Sequence, residues 1–348
     1  MVTSRDRRGR GLRGAVVVTL ALLAGRAGLA QQPVFHEHVE VSRVIVDARA
    51  TDPRGRALTS LTADDFRVLV DGAQVPLESV EWMGTGRPGD EGPAAEEGHP
   101  GESAEVPGRL IVLLFEKDFA HERMVGLMRM KHEAAELVAH LLPADQVAVA
   151  SFDSHLKLWL DFTNDHARLT RVVEHSILFD EPGEVAPGPA PSLAAHFDVK
   201  AARGAASPEA ALEVLGRALE PIPGAKSLVF FGWGLGRLWP PYVVMDRHYG
   251  PARAALVRGR VTVYSLDITD ADLHTLEAGL QRVAADTGGF YVKTHLFPAL
   301  AMARLEGALE GYYELVIEKP DRPPGRHAIE VQLTRRQGTV SARPFYDS

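Results

Sequence analysis

Cysteine is absent from the chain. That removes disulfides, thiolate-held metals, a cysteine nucleophile and a lipid-modified cysteine from consideration. Long apolar runs are lacking too. The longest, Ala15 to Ala24, is closed by Gly25 and Arg26, whereas a membrane-spanning helix needs about twenty apolar residues. Basic charge is in deficit, with 38 Lys and Arg against 46 Asp and Glu, which disfavours nucleic acid as a partner because phosphate binding needs a basic surface. Aromatic side chains make up only 7% of residues, yet two of the four tryptophans, Trp233 and Trp239, fall in one short segment.

The first thirty residues carry their own signal. Arg5, Arg7, Arg8, Arg10 and Arg13 form a basic head, the apolar run follows, and Gly28-Leu29-Ala30 places small residues before Gln31. This pattern reads as a secretory signal peptide over residues 1–30, with a periplasmic or secreted destination for the rest. Its removal takes away six arginines and one aspartate, leaving 32 basic and 45 acidic side chains and a net charge of −13 in place of −8. No later segment is long and apolar enough to span a membrane after cleavage.

Residues 31–83 read as a small β module. An alternating stretch over 38–48 leads to the turn Asp52-Pro53-Arg54-Gly55, Thr62 caps a short helical turn at 61–66, and Asp71-Gly72 marks a hairpin between 67–70 and 75–82. Residues 84–108 are rich in Gly, Pro, Ala and Glu with almost no large apolar side chain, the composition of a flexible linker.

Residues 109–310 alternate strands and helices. Continuous apolar runs at 110–115, 146–152, 227–231, 261–266 and 289–292 read as strands buried on both faces. An alternating strand at 156–162 follows a short turn and is expected to lie antiparallel at an edge. Helical spacing covers 120–142, 165–178, 208–220, 251–258, 271–286 and 297–310, with a Pro- and Ala-rich excursion at 179–206. The fold class expected is α/β: a doubly wound, mostly parallel, Rossmann-like sheet with helices on both faces. Residues 311–348 return to short strands. Neither end has enough strands for a stable sheet alone, so the two are expected to meet in one small β-sandwich with the α/β domain inserted between them.

At this point several phrases carry a resemblance. The order of elements resembles a von Willebrand factor type A domain. Val44-Ile45-Val46-Asp47, Leu61-Thr62-Ala63-Asp64-Asp65-Phe66, Val70-Asp71-Gly72, Val263-Tyr264-Ser265-Leu266-Asp267, Ala285-Asp286-Thr287-Gly288-Gly289 and Tyr312-Tyr313-Glu314-Leu315 are similar, in order, to the VWFA-related family of exported bacterial proteins. The resemblance implies protein binding or adhesion at the C-terminal edge of the sheet. It also implies a metal-ion-dependent adhesion site there, in which an Asp-x-Ser-x-Ser loop, a threonine and an aspartate hold a hard cation such as Mg²⁺ through oxygen.

This chain departs from that pattern. Glu116 stands at the aspartate position, Asp118 replaces the first serine and Ala120 the second. Only Ser207 offers a hydroxyl near the threonine position, and Trp233 stands where the later aspartate belongs. Lys117 beside the two carboxylates is a candidate to neutralise them internally. The degenerate positions Glu116, Asp118 and Ser207 are therefore not expected to hold Mg²⁺ or another divalent cation, and no cofactor is expected.

Other groupings are weaker. Gly232-Trp233-Gly234-Leu235-Gly236 lacks the Gly-Lys-Ser/Thr ending of a phosphate loop and serves a sharp turn. His36-Glu37-His38 could bind a metal through two imidazoles but sits at the expected mature terminus, where a surface role is preferred, and His132 and His140, eight apart on a helix, have no acidic partner at zinc-site spacing. Ser151-Phe152-Asp153-Ser154-His155 places its residues too close in sequence for triad geometry.

Two readings of function follow. In the first, Trp233, Leu235, Trp239 and Tyr242 form an aromatic and apolar contact surface for a protein partner; the alternative for that loop is packing beneath itself. In the second, Glu116, Asp118 and Asp267 converge as the carboxylates of a secreted hydrolase. The first is preferred, and no catalytic residue is assigned.

Overall fold

The computed structural model describes residues 43–53, 55–84 and 108–347. The expected signal peptide, the His36-Glu37-His38 stretch and almost all of the expected linker lie outside the described residues.

In chain order the elements are β1 (Arg43–Thr51), a 3₁₀ turn (Ala63–Asp65), β2 (Phe66–Val70), β3 (Ala73–Val75), β4 (Leu77–Gly84), β5 (Leu110–Glu116), α1 (His121–Ala139), β6 (Gln146–Phe152) and β7 (Leu156–Thr163). Next come α2 (His166–Arg171), a π-helical turn (Val172–Ser176), α3 (Ile177–Phe179), α4 (Val199–Gly204), α5 (Pro208–Leu219), β8 (Lys226–Gly232), β9 (Arg237–Trp239) and β10 (Tyr242–Val244). The remainder is α6 (Tyr249–Arg258), β11 (Val261–Asp267), α7 (Glu277–Asp286), β12 (Tyr291–Lys293), α8 (Pro298–Leu309), β13 (Gly311–Glu318), β14 (Arg326–Leu333), β15 (Thr339–Ala342) and β16 (Phe345–Asp347).

The central sheet has six strands in the order β12-β11-β8-β5-β6-β7, all parallel except β7, which pairs antiparallel with β6 at the edge. Its doubly wound character is visible along β5. Val112 and Leu114 face a core shared with α5 and α6, while Ile111, Leu113 and Phe115 face one shared with α1 and α8. A strand buried on both faces has no reason to alternate polar and apolar residues, which is why this one reads as a continuous apolar run. The Pro-rich excursion is held by one side chain. Asp161 accepts hydrogen bonds from Ser192 Oγ (2.6 Å) and the amides of Leu193 (2.6 Å), Ala194 (3.1 Å) and Gly188 (3.1 Å).

The terminal segments pair as expected. β1 lies between β13 and β15 and β13 carries β4, while β2 lies between β14 and β3 with β16 beyond β14. Val46 and Ala48 of the first sheet, Val68 and Val70 of the second, and Tyr313 and Leu315 share one core. Asp71 and Gly72 both take positive φ (50° and 79°) in the turn between β2 and β3, the twist a two-residue hairpin needs.

The sandwich docks against the start of β11. The Arg260 guanidinium pairs with Asp47 and Glu314, Arg49 Nη1 donates to Thr262 Oγ1 (3.0 Å), and Arg343 Nη1 donates to the Val257 carbonyl at the end of α6 (3.2 Å). The C-terminal ends of the parallel strands lie at the opposite end of the sheet.

Two expectations need correction. The helix expected over 271–286 begins at Glu277. Residues 268–276 are drawn into a loop by tertiary bonds, Ile268 N to Gly232 O (3.0 Å) and Asp270 N to Glu122 O (3.0 Å). α1 can come this close because residue 126 is glycine: a Cβ there would stand 1.5 Å from the Ile268 carbonyl oxygen. The strand expected at 289–292 is β12, three residues long and half-buried, because it closes the sheet at its edge.

Candidate functional site

The ends of β5 and β8 bring two carboxylates together. Glu116 closes β5 and is fully buried; its Oε2 accepts the amides of Trp233 (2.9 Å) and Gly234 (3.3 Å) in the loop leaving β8. Glu209, second residue of α5 and also buried, accepts the amides of Gly236 (2.6 Å) and Asp246 (3.4 Å) through Oε1. The two side chains hold the 233–236 loop from either side. Burial pushes the Glu116 carboxyl up to about 8; the Trp233 and Gly234 amides pull it back, and the nearby Glu209 charge adds to the rise. Glu209 escaped the sequence reading because an acidic residue in the first helical turn is accounted for by the helix dipole alone.

The positions expected for a divalent cation do not fit one. Glu116 is engaged by backbone amides. The Asp118 carboxylate accepts the Ala120 amide (2.7 Å) and pairs with Arg123, whose guanidinium carbon lies 3.6 Å from the Trp233 ring centroid. Ser207 caps α5, its hydroxyl accepting the Ala210 amide (3.2 Å). A hard cation needs several oxygens converging on one point. Here Glu116 Oε2, the Asp118 carboxylate and the Ser207 hydroxyl each serve a different neighbour, while Glu116 Oε1 is buried without a hydrogen-bond partner. Lys117 does not neutralise Glu116 or Asp118 as expected. Its ammonium turns to Asp153 (2.9 Å) and the Ile177 carbonyl (3.1 Å). Although burial opposes ionisation at Asp153, hydrogen bonds from Lys117 and from the Ser154 amide hold its carboxyl well below the usual carboxylate range.

The aromatic segment divides. Leu235, expected at the contact surface, is buried at 1% exposure in the core beneath α5 and α7, because the two glutamates pull its loop inward. Trp233 is half-buried and packs on the opposite core. Trp239 and Tyr242 instead face each other across the β9–β10 ladder, on either side of Pro240-Pro241, and are 65% and 70% exposed. Further large apolar side chains are exposed on the connections beyond other strands: Phe119 after β5, Leu273 after β11, Leu296 and Phe297 after β12, and Leu300 in the first turn of α8. All leave the same end of the sheet.

A third grouping sits at the end of β11. Asp267 Oδ1 accepts the Thr269 amide (3.0 Å), and Oδ2 accepts the Tyr291 hydroxyl (2.7 Å) and lies 2.7 Å from His274 Nε2. Glu277, at the start of α7, completes a triad with Asp267 and His274 whose ligand atoms all lie within 4.8 Å of one another. Lys293 Nζ stands 2.7 Å from Glu277 Oε2. Burial, then the bond to Asp267, holds the Tyr291 hydroxyl far above its ordinary value. The sequence reading singled out Asp267 but not its neighbours, because no short motif joins positions 267, 274, 277 and 291. Asp267 does not converge with Glu116 and Asp118: each of the three carboxylates has its own set of partners. The other candidates stay local. Ser154 Oγ lies 3.0 Å from His155 Nδ1 and 3.1 Å from Asp153 Oδ1, and His132 and His140 are exposed on or beside α1.

No family model matches the chain, and no curated protein does. Among solved structures, the chain is similar to an aerotolerance-related membrane protein from Bacteroides fragilis, at 13% identity over 58% of this chain and 98% of that one, with a TM-score of 0.39. It is similar to a von Willebrand factor type A protein from Catenulispora acidiphila, at 9% identity over 88% of this chain and 72% of that one (TM-score 0.41). It is also similar to manganese-loaded TRAP protein from Plasmodium vivax, at 12% identity over 67% and 92% of the two chains (TM-score 0.38). The α/β part of the chain is a mostly parallel sheet with helices on both faces.

Proposed function

We propose that the chain is a protein-binding module, and not a hydrolase, that meets its partner through apolar side chains at the C-terminal edge of the central sheet, without a cation at the β5–β8 apex. The observation that carries this reading is the exposure of Trp239, Tyr242, Phe119, Leu273, Phe297 and Leu300, all on the connections that follow four different strands at one end of the sheet. Several large apolar residues kept in water at one end, while Leu235 in the same loop system is buried, fit a recognition surface better than a packing defect. The apex supports the cation-free part, since its carboxylates are already bonded to amides and to Arg123. The basic head, apolar run and small-residue site of residues 1–30 support export to the periplasm or beyond.

The test is in-cell cross-linking of the full chain, read against a double variant, Trp239→Ser with Tyr242→Ser. A partner cross-linked by the unaltered chain should be recovered at least about tenfold less by the variant, at an unchanged melting temperature. Equal recovery would overturn the surface. A mature N-terminus at Gln31 in the envelope fraction checks export, and a chain retaining Met1 in the cytoplasm would refute it.

A further inference from the structure

We propose that Asp267, His274 and Glu277 form a binding site for a borderline divalent cation of the Zn²⁺ type, separate from the β5–β8 apex. Three donors of two kinds converge there: Asp267 Oδ2 from the end of β11, His274 Nε2 from the following loop, and a Glu277 carboxylate oxygen from the start of α7. Their mutual separations are all within 4.8 Å, and Asp267 Oδ2 and His274 Nε2 are 2.7 Å apart; that pair must open slightly and any longer separation close slightly to reach the roughly 3.4 Å between donors around a tetrahedral ion with bonds of about 2.1 Å. One imidazole with two carboxylates selects Zn²⁺ over Mg²⁺ or Ca²⁺, which take oxygen alone.

One further observation points to a ligand. Glu277 Oε2 is paired with the Lys293 ammonium (2.7 Å), a charge that a divalent cation would displace. The Thr269 hydroxyl, by contrast, is buried without a partner, on the residue whose amide already binds Asp267 (3.0 Å). A buried hydroxyl in this state calls for an explanation, and this one lies on a residue bonded to the triad.

The surroundings are those of a supported metal site. Asp267 is fixed by the Thr269 amide and the Tyr291 hydroxyl, so its carboxylate is already oriented. Without metal, the 2.7 Å contact to Asp267 places the ring proton on Nε2 of His274. Metal binding would take the Nε2 lone pair and leave the proton on Nδ1 or release it. The cation would tie the 268–276 loop, including Leu273, to the start of α7, and it would compete with Lys293 for Glu277.

The test uses the full chain freed of metal with a chelator and titrated calorimetrically with Zn²⁺. One equivalent should bind and raise the melting temperature, and Co²⁺ in its place should give the visible absorption of mixed nitrogen and oxygen coordination. His274→Ala and Glu277→Gln should each weaken Zn²⁺ binding by more than about tenfold, whereas Lys293→Met should bind as tightly as the parent or more so. If a variant misfolds, the Co²⁺ spectrum of the unaltered chain still reads the imidazole. Absence of binding at about 100-fold molar excess, Zn²⁺ affinity unchanged in folded His274→Ala, or a Co²⁺ spectrum lacking nitrogen coordination would each overturn the site.

Discussion

Two carboxylate clusters sit at the ends of β5 and β11, two strands of one sheet separated by β8, and they are built differently. At the end of β5, Glu116 Oε2 and Glu209 Oε1 are spent on backbone: they accept the amides of Trp233, Gly234 and Gly236, and the loop is locked even though Glu116 Oε1 has no partner. At the end of β11, Asp267 meets the side chains of His274 and Tyr291 and Glu277 pairs with Lys293, while the Thr269 hydroxyl goes without a hydrogen bond. The first cluster is structural because amides cannot be exchanged for a ligand without unfolding the loop. The second can change partners, since rotating a lysine or moving a proton on an imidazole leaves the backbone in place.

The largest expected effect tests how firmly the first cluster holds its loop. Leu235→Ala should lose ~2–5 kcal/mol in urea unfolding, the usual range for emptying a packed core position; a loss below ~1 kcal/mol would mean that the loop is not locked and that the contrast between the clusters is false.

Next is the charge state of Glu116. Its folded value of about 8 stands above the ordinary 4.5, so its contribution to stability is fully present below about pH 4.5 and is lost as pH rises to about 8. Glu116→Gln keeps an acceptor for the two amides and cannot ionise. It should match the parent near pH 4 and exceed it by ~2–3 kcal/mol near neutral pH. Parallel stability curves for the two chains from about pH 4 to 8 would show that Glu116 is not the buried acid described.

At the second cluster the effects should be smaller. Tyr291→Phe removes one donor to Asp267, which keeps the Thr269 amide and the imidazole, so the metal-free chain should lose ~0.5–1.5 kcal/mol; a loss above ~3 kcal/mol would make this cluster as rigid as the first. Smallest of all is the outer hairpin. Trp239→Ser should change stability by less than ~0.5 kcal/mol, and a larger loss would mean that the indole is packed, contrary to its exposure.

Much of the fold was legible in sequence because it is written in local chemistry. The six-residue apolar run at 110–115, the Ser207-Pro208 cap and Asp71-Gly72 each specify their element from adjacent residues. Where local pattern and tertiary bonds conflicted, as over 271–276, the tertiary bonds prevailed. In the candidate site, the sequence showed Ala120 and Trp233 at positions where the resemblance implies a serine and an aspartate. Nothing in the local pattern distinguished Leu235 from Trp239, four residues apart in one apolar segment, because what separates them is the grip of Glu116 and Glu209 on the intervening loop.

By itself, then, the sequence determined the alternation of strands and helices, the pairing of the terminal segments into a sandwich, and the absence of an Asp-x-Ser-x-Ser pattern after β5. Each depends on residue type at short spacing or on the need of too few strands to find partners. Only the tertiary structure decided that Glu209 meets Glu116 from a different helix, and that Asp267, His274, Glu277 and Tyr291 meet at the end of β11. Such clusters join strand ends, loops and helix starts that are adjacent only once the sheet is wound, and no periodicity along the chain records that adjacency.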